Sequence, residues 1–161
     1  MKRYVILCFM AMFCSLANAQ FNRAIHSSKT SKPDIFGKVT TTYYDYYGKV
    51  IGTSVTQKDI FDKINTTYYD DMGRQICSST TRKDIFDNIK TEYYDEYGHQ
   101  TGSATTKTDI FDQTTTTYYD EMGRSTGSAT TKEDIFGNLT TTYYDEYGRE
   151  TGSETVDKDD R

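Results

Sequence analysis

The sequence of 161 residues contains no tryptophan, one proline, three cysteines and two histidines. Histidine is the usual proton carrier near neutral pH, yet neither His26 nor His99 recurs in the internal repeats described below. No Cys–His pair, glycine-rich phosphate loop or metal-spaced histidine cluster is present in the sequence. Because catalysis needs unlike residues converging on one point, we expect a protein that is not an enzyme and holds no metal or cofactor.

Clusters of basic residues are also missing. The net charge is −5, and it becomes −7 if Lys2 and Arg3 are removed with a leader peptide. Neutralising nucleic-acid phosphates requires grouped lysines and arginines. The charge pattern therefore excludes nucleic acid as an expected partner.

The one long apolar run lies at the N-terminus. Lys2 and Arg3 precede the apolar residues 4–16, and small residues at 17–19 predict cleavage before Gln20. The run is shorter than the roughly 20 residues that span a bilayer. We therefore expect a signal peptide at 1–19 and a secreted, periplasmic or cell-surface chain that has no membrane insertion after cleavage.

Cleavage would leave Cys77 as the only cysteine, so we expect no intramolecular disulfide in the mature chain. Cys77 stands at a position where the other repeats have glycine. This placement favours a tolerated small residue over a reactive thiol.

Self-similarity at a fixed period dominates the rest of the chain. A polar linker at 20–33 leads into five tandem units of 25 residues, and a tail occupies 159–161. Each unit begins with Asp-Ile-Phe and carries a Tyr-Tyr-Asp further on. The units are residues 34–58, 59–83, 84–108, 109–133 and 134–158.

Each unit is rich in Thr, Tyr, Ile and Val, and none has a helical period, which predicts strands. An Asp-x-x-Gly segment after each tyrosine pair predicts a three-residue hairpin loop. The turn residues are Asp45, Gly48, Asp70, Gly73, Asp95, Gly98, Asp120, Gly123, Asp145 and Gly148. The fold class is therefore all-β: an antiparallel meander of about ten strands in five β-hairpin repeats. Leu139 is the only leucine after residue 19, so we expect an elongated, thin, twisted or spiralling sheet without a thick core.

The turn also predicts a register. Pairing Asp120 with Arg124 places Tyr118 opposite Thr126 and Thr114 opposite Thr130, and the return connection places Thr101 beside Tyr118. The aliphatic side chains then share a face with the first tyrosine of each pair. The second tyrosine shares the other face with the recurrent glycine.

The segments "YYDEMGRSTG" and "DIFGNLTTTYYDEYGRETG" resemble the YD repeats of the Rhs and teneurin families. The resemblance covers residues 34–158 and implies a spiral of β-hairpins that acts as a shell or adhesive ectodomain without catalysis. The pattern at Tyr143, Tyr144, Gly148, Thr151 and Gly152 is also similar to choline- and glucan-binding repeats. Those modules use aromatic cages that include tryptophan, which this chain lacks.

The second tyrosines are the candidate binding residues, because an exposed aromatic row suits glycan stacking or protein contact. They are Tyr44, Tyr69, Tyr94, Tyr119 and Tyr144. The repeated aspartates offer oxygen ligands for calcium, but turn closure is the favoured role for them. We expect a surface or extracellular binding or adhesion module for a glycan or protein. The alternative is a structural or self-assembling β-repeat element with no ligand of its own, for which edge-strand pairing offers a route to homo-oligomers.

Overall fold

The computed structural model describes residues 25–158, and all structural statements below concern this part of the chain. The predicted signal peptide at 1–19, its cleavage site, Cys8, Cys14 and the tail at 159–161 lie outside the described residues. Within the described range there is no helix long and apolar enough to cross a bilayer.

The prediction of an all-β antiparallel meander is confirmed. Eleven strands form one open sheet, and each strand lies beside its neighbour in the sequence. The strands are β1 (Ser27–Thr30), β2 (Val39–Tyr44), β3 (Val50–Lys58), β4 (Ile64–Asp70), β5 (Gln75–Lys83), β6 (Ile89–Asp95), β7 (Gln100–Thr108), β8 (Thr114–Asp120), β9 (Ser125–Glu133), β10 (Leu139–Asp145) and β11 (Glu150–Val156).

The eleventh strand is β1, which lies inside the segment that the sequence predicts as a polar linker. Ser27 pairs with Tyr44 and Thr30 pairs with Thr41, so β1 covers the free edge of β2. All four β1 residues are exposed. Backbone hydrogen bonds therefore hold β1 in place without a buried side chain, which is why no hydrophobic pattern marks it in the sequence.

The chain divides into two compact units. Unit 1 contains the described residues up to 82 together with 92–101, and unit 2 contains 83–91 and 102–158. Each unit is built from the same hairpins, so the geometry below is given within one unit at a time.

The segments 45–49, 70–74, 95–99, 120–124 and 145–149, here called the YYD turns, close the hairpins. In the fourth, the backbone N–H of Asp120 donates to Arg124 O at 3.0 Å and that of Gly123 donates to Asp120 O at 3.1 Å. Oδ1 of Asp120 accepts from the backbone N–H groups of Met122 and Arg124, both at 2.9 Å. Gly123 has φ +78°, a left-handed conformation that glycine adopts without strain. These contacts account for both the Asp and the Gly of the repeat.

Segments 34–38, 59–63, 84–88, 109–113 and 134–138, here called the Ile–Phe turns, repeat this geometry at the other ends of the strands. Oδ1 of Asp109 accepts from the backbone N–H groups of Phe111 at 2.8 Å and Gln113 at 3.0 Å. The left-handed position is occupied by glycine in two of these turns and by aspartate in three, for example Asp112 at φ 58°. Aspartate tolerates this conformation better than most residues do. Both sets of repeated aspartates therefore have a turn-closing role.

Acid should weaken the fold through these turns. The pKa values of Asp70, Asp120 and Asp145 are lowered from 3.8, chiefly by the backbone N–H of the arginine four residues on; partial desolvation opposes this, and the arginine side chain adds to it. A carboxylate with a lowered folded pKa stabilises the fold above its unfolded pKa and loses that effect as the pH falls through the folded value. We expect the melting temperature to be flat near neutral pH and to fall below about pH 4.

The Asp120→Asn variant supplies the control for the acid prediction, since its side-chain oxygen can still accept hydrogen bonds but cannot titrate. Its melting temperature should depend less on acid than that of the wild type. If the wild-type melting temperature stays constant down to the lowest accessible pH, protonation of the turn carboxylates does not affect the stability of the fold.

The predicted register is wrong by one residue in the first, second, fourth and fifth hairpins. Asp120 does pair with Arg124 through its backbone, and Tyr119 lies opposite Ser125. A β-bulge then intervenes, so that Tyr118 lies opposite Gly127 and Thr114 opposite Thr131. Thr126 is the extra residue of the bulge, and a bulge of this kind shifts all pairs beyond it by one position.

The same bulge changes which side chains share a face of the sheet, so the predicted faces are wrong as well. Tyr43 lies opposite Gly52 rather than Ile51, because the first hairpin is bulged too. Val55 lies opposite Thr40 and so shares a face with the second tyrosine. The aliphatic residues are therefore divided between the faces, and the recurrent glycine lies with the first tyrosine.

The predicted register of the return connections is also wrong. Tyr118 lies beside Ala104, not beside Thr101. Ser54 occupies the same repeat position and lies beside Tyr68, and Ala129 lies beside Tyr143. Each of these small residues therefore faces the first tyrosine of the following repeat.

The core consists of the first tyrosines and the small residues on the neighbouring strands, glycine, serine and alanine. Large aliphatic side chains do not form it. Tyr43 is 5% exposed, and its hydroxyl hydrogen-bonds to that of Ser54 at 3.0 Å. Since Ser54 lies two residues beyond Gly52 on β3, the ring crosses the glycine diagonally. The Tyr143 hydroxyl donates in the same way to Glu154, at the repeat position of Ser54. The residue directly opposite the ring is glycine for Tyr43, Tyr118 and Tyr143 and cysteine for Tyr68.

Burial of these rings also affects their ionisation. It raises the pKa of Tyr93 to about 12 and raises the pKa of Tyr43 and Tyr68 as well. The neutral form is favoured because the charged phenolate would lose its hydration.

Cys77 occupies the glycine position opposite Tyr68 and is 5% exposed. The expectation of no disulfide concerns the cleaved chain, and the sequence's other two cysteines lie outside the described residues.

Candidate binding face and exposed turns

The second tyrosines lie on the face opposite to the first tyrosines. They belong to β2, β4, β6, β8 and β10, and all five are half-buried rather than fully exposed. In unit 2, Tyr119 lies opposite Ser103 and Ser125, and Tyr144 lies opposite Ser128 and Glu150. The rings therefore lie among short polar side chains on a hydroxyl-rich surface.

Unit 1 has the same surface chemistry. Tyr69 lies opposite Thr53 and Gln75, and Tyr44 lies opposite Val50 after the bulge. Threonines 40, 42, 53 and 67 occupy this face by alternation along β2, β3 and β4. The face thus combines half-exposed aromatic rings with threonine and serine hydroxyls.

The hydroxyl groups of the second tyrosines differ in their partners. The Tyr94 hydroxyl donates to Glu92 Oε2 at 3.3 Å, and Glu92 also pairs with Arg82 at 3.4 Å. Desolvation and then the Glu92 charge raise the pKa of Tyr94. Within residues 25–158, no hydrogen bond reaches the hydroxyls of Tyr44, Tyr69, Tyr119 or Tyr144. Within the described part of the chain, four of the five hydroxyls therefore have no hydrogen-bond partner.

Sequence reasoning missed a second set of exposed residues, the Ile and Phe of the Ile–Phe turns. They occupy the two central turn positions and point away from the sheet, so that the isoleucines are 91–94% exposed and the phenylalanines 70–82% exposed. From the sequence alone, these residues are recognised only as part of the invariant Asp-Ile-Phe motif. The signal was available, because Asp-Ile-Phe-Gly has the same Asp-x-x-Gly spacing as the recognised turn.

The YYD turns carry different chemistry at the matching positions. Their first central residue is Glu96, Glu121 or Glu146 in three copies, and the second is tyrosine or methionine in all five. Arg149 lies over the ring of Tyr147 at 5.0 Å, and its Nε donates to Asp145 at 2.7 Å. The YYD turns therefore place charged side chains next to their exposed aromatic residues.

The described residues contain no group of three or more His, Cys, Asp or Glu side chains arranged to hold a metal ion. The carboxylates of the two turn sets instead accept hydrogen bonds within their own loops. Neither a scan against protein-family models nor a search of curated proteins finds a match to this chain.

Proposed function

We propose that this chain is an exported, non-catalytic binding or adhesion module, which contacts a glycan or protein surface through the face of the second tyrosines. One observation carries the proposal: half-exposed rings recur among serine and threonine hydroxyls, and four of their own hydroxyls lack a partner within residues 25–158. Tyrosine presents an apolar ring and a polar tip together, which suits both sugar stacking and protein contact. Similar copies add avidity when a ligand is itself repetitive.

Export and the hairpin resemblance are part of the same proposal. The basic and apolar N-terminal pattern supports passage across a membrane. The likeness to YD repeats supports an adhesive rather than a catalytic role. Detection of residues 20–161 outside the cytoplasm would test the first point.

Binding through the second tyrosines is tested with an array of glycans and extracellular matrix proteins. The Tyr119→Ala/Tyr144→Ala variant should lose roughly thirtyfold in affinity, at about 1 kcal/mol per ring. The Tyr97→Ala/Tyr147→Ala variant is the matched control, because it removes two exposed turn tyrosines outside this face. Equal binding by the wild type and the face variant would remove the second tyrosines from the binding site.

The second candidate is a structural element that assembles by edge-strand pairing. It is favoured by β11, whose seven residues are all exposed and which is the last strand in the sheet order of the described chain. Such an edge can template a strand from another copy. Light scattering across a concentration series should then show growing particles, whereas a constant monomer mass would contradict this candidate.

A further inference from the structure

The Ile–Phe turns expose more apolar surface than the architecture requires. In unit 2 they present Ile85, Phe86, Ile110, Phe111, Ile135 and Phe136, and in unit 1 they present Ile35, Phe36, Ile60 and Phe61. At roughly 150 Å² for each exposed aromatic, with comparable isoleucines, the apolar surface of these turns is about 600 Å² in unit 1 and about 900 Å² in unit 2. A standard interface buries about 800 Å² per partner.

Turn formation does not explain the isoleucines. Asp109 and Asp120 make the same two side-chain contacts to backbone N–H groups within their turns, at 2.8–3.0 Å. The residue after the aspartate is Ile110 in one case and Glu121 in the other. The same loop therefore closes with a charged residue at this position, and isoleucine recurs in five copies for another reason.

Charge differs between the Ile–Phe turns of the two units. In unit 1, segments 32–38 and 57–63 contain four lysines and three aspartates, including the Lys58–Asp62 pair at 2.6 Å. In unit 2, segments 83–88, 107–113 and 132–138 contain three lysines and six acidic residues, and Arg82 of unit 1 directly precedes the first of them. The turns of unit 1 are thus slightly basic and those of unit 2 are acidic.

We propose that the Ile–Phe turns are a self-association surface, on which the turns of unit 1 in one copy pack against the turns of unit 2 in a second copy. The apolar pairs supply the buried area, and the opposite charges select unlike units over like ones. The turns of a second copy also have the same spacing as those of the first. In each copy, consecutive Ile–Phe turns recur at every second strand, about 9.6 Å apart. This surface is distinct from the second tyrosines, so the inference does not depend on the proposed function.

The test is sedimentation velocity of the purified chain over a wide concentration range. The wild type should show concentration-dependent mass, and the Ile110→Glu/Ile135→Glu variant should associate at least tenfold more weakly. This variant should fold, because the YYD turns carry glutamate at the same position. The Met72→Glu/Met122→Glu variant adds equal charge at exposed YYD-turn positions, and it should associate as the wild type does.

A charge-reversal pair tests which turns meet. Lys38→Glu should weaken association, and adding Glu133→Lys should restore it. A wild type that is monomeric at every concentration would overturn the proposal, as would equal association by the isoleucine variant, which points instead to edge-strand pairing. Binding of a monomeric wild type to phosphatidylcholine vesicles, lost in the isoleucine variant, would also overturn it by identifying lipid as the occupant.

Discussion

Replacing Tyr118 with alanine is expected to lower the free energy of unfolding by about 3–5 kcal/mol, the range for removing a large buried aromatic side chain. Tyr118 is 7% exposed and lies opposite Gly127 on one side and Ala104 on the other. Glycine and alanine are too small to fill the space that the ring would leave. The measurement is urea denaturation followed by circular dichroism.

The adjacent Tyr119→Ala substitution provides the control for this prediction. Tyr119 is half-buried on the opposite face, so its loss should cost about 1–2 kcal/mol, within the range of ordinary substitutions. Similar losses for the two variants would contradict the assignment of the first tyrosine to the core and the second to the surface.

The Gly127→Ala substitution should be the next most damaging, at about 2–3 kcal/mol. Gly127 has φ +152°, and a Cβ atom there would approach the backbone oxygen of Tyr144 to 2.6 Å. Backbone cannot move aside as a flexible side chain can, so strain in the ladder between β9 and β10 is the expected result. Thermal and urea unfolding would both report the loss.

Gly152→Ala is the matched control for Gly127→Ala because both glycines occupy the same position of the repeat. At Gly152 a Cβ atom meets nothing within 4 Å. Its substitution should change the stability by less than about 0.5 kcal/mol. Two equally destabilised alanine variants would contradict the close approach at Gly127.

The sequence predicts the turns and the strand class well because each depends on neighbouring residues. Asp120 and Gly123 act within one loop, and the β-branched and aromatic content of each unit favours strands regardless of context. The prediction of about ten strands omits β1 because its polar, exposed residues are held by backbone pairing with β2 and a Thr30–Thr41 hydroxyl contact at 3.0 Å, without a buried apolar side chain.

The sequence does not predict the bulge. Thr126 resembles any other strand residue, and nothing local distinguishes a regular hairpin from one with an extra residue after the turn. The recurrent glycine was informative in retrospect, because an aromatic ring covers a glycine best when the two are on one face. Placing Gly127 opposite Tyr118 would have given the observed register.

The exposed turns were missed for a different physical reason. Isoleucine and phenylalanine are usually buried, so their recurrence suggests a core role until the turn is placed. The structure shows that Ile110 lies at a loop position, 91% exposed, while the core uses tyrosine. Because the Ile and Phe of these turns do not pack in the core, their recurrence indicates contact with a partner rather than a role in the fold.

The central claim is that Tyr118, the first tyrosine of the fourth repeat, lies opposite Gly127 and that a bulge sets this register. Nuclear Overhauser contacts between the Tyr118 ring protons and the Gly127 α-protons test it most directly. We expect strong contacts to Gly127 and Ala104, with Thr126 outside the paired ladder. Strong contacts from Tyr118 to Thr126, without contacts to Gly127, would contradict the account.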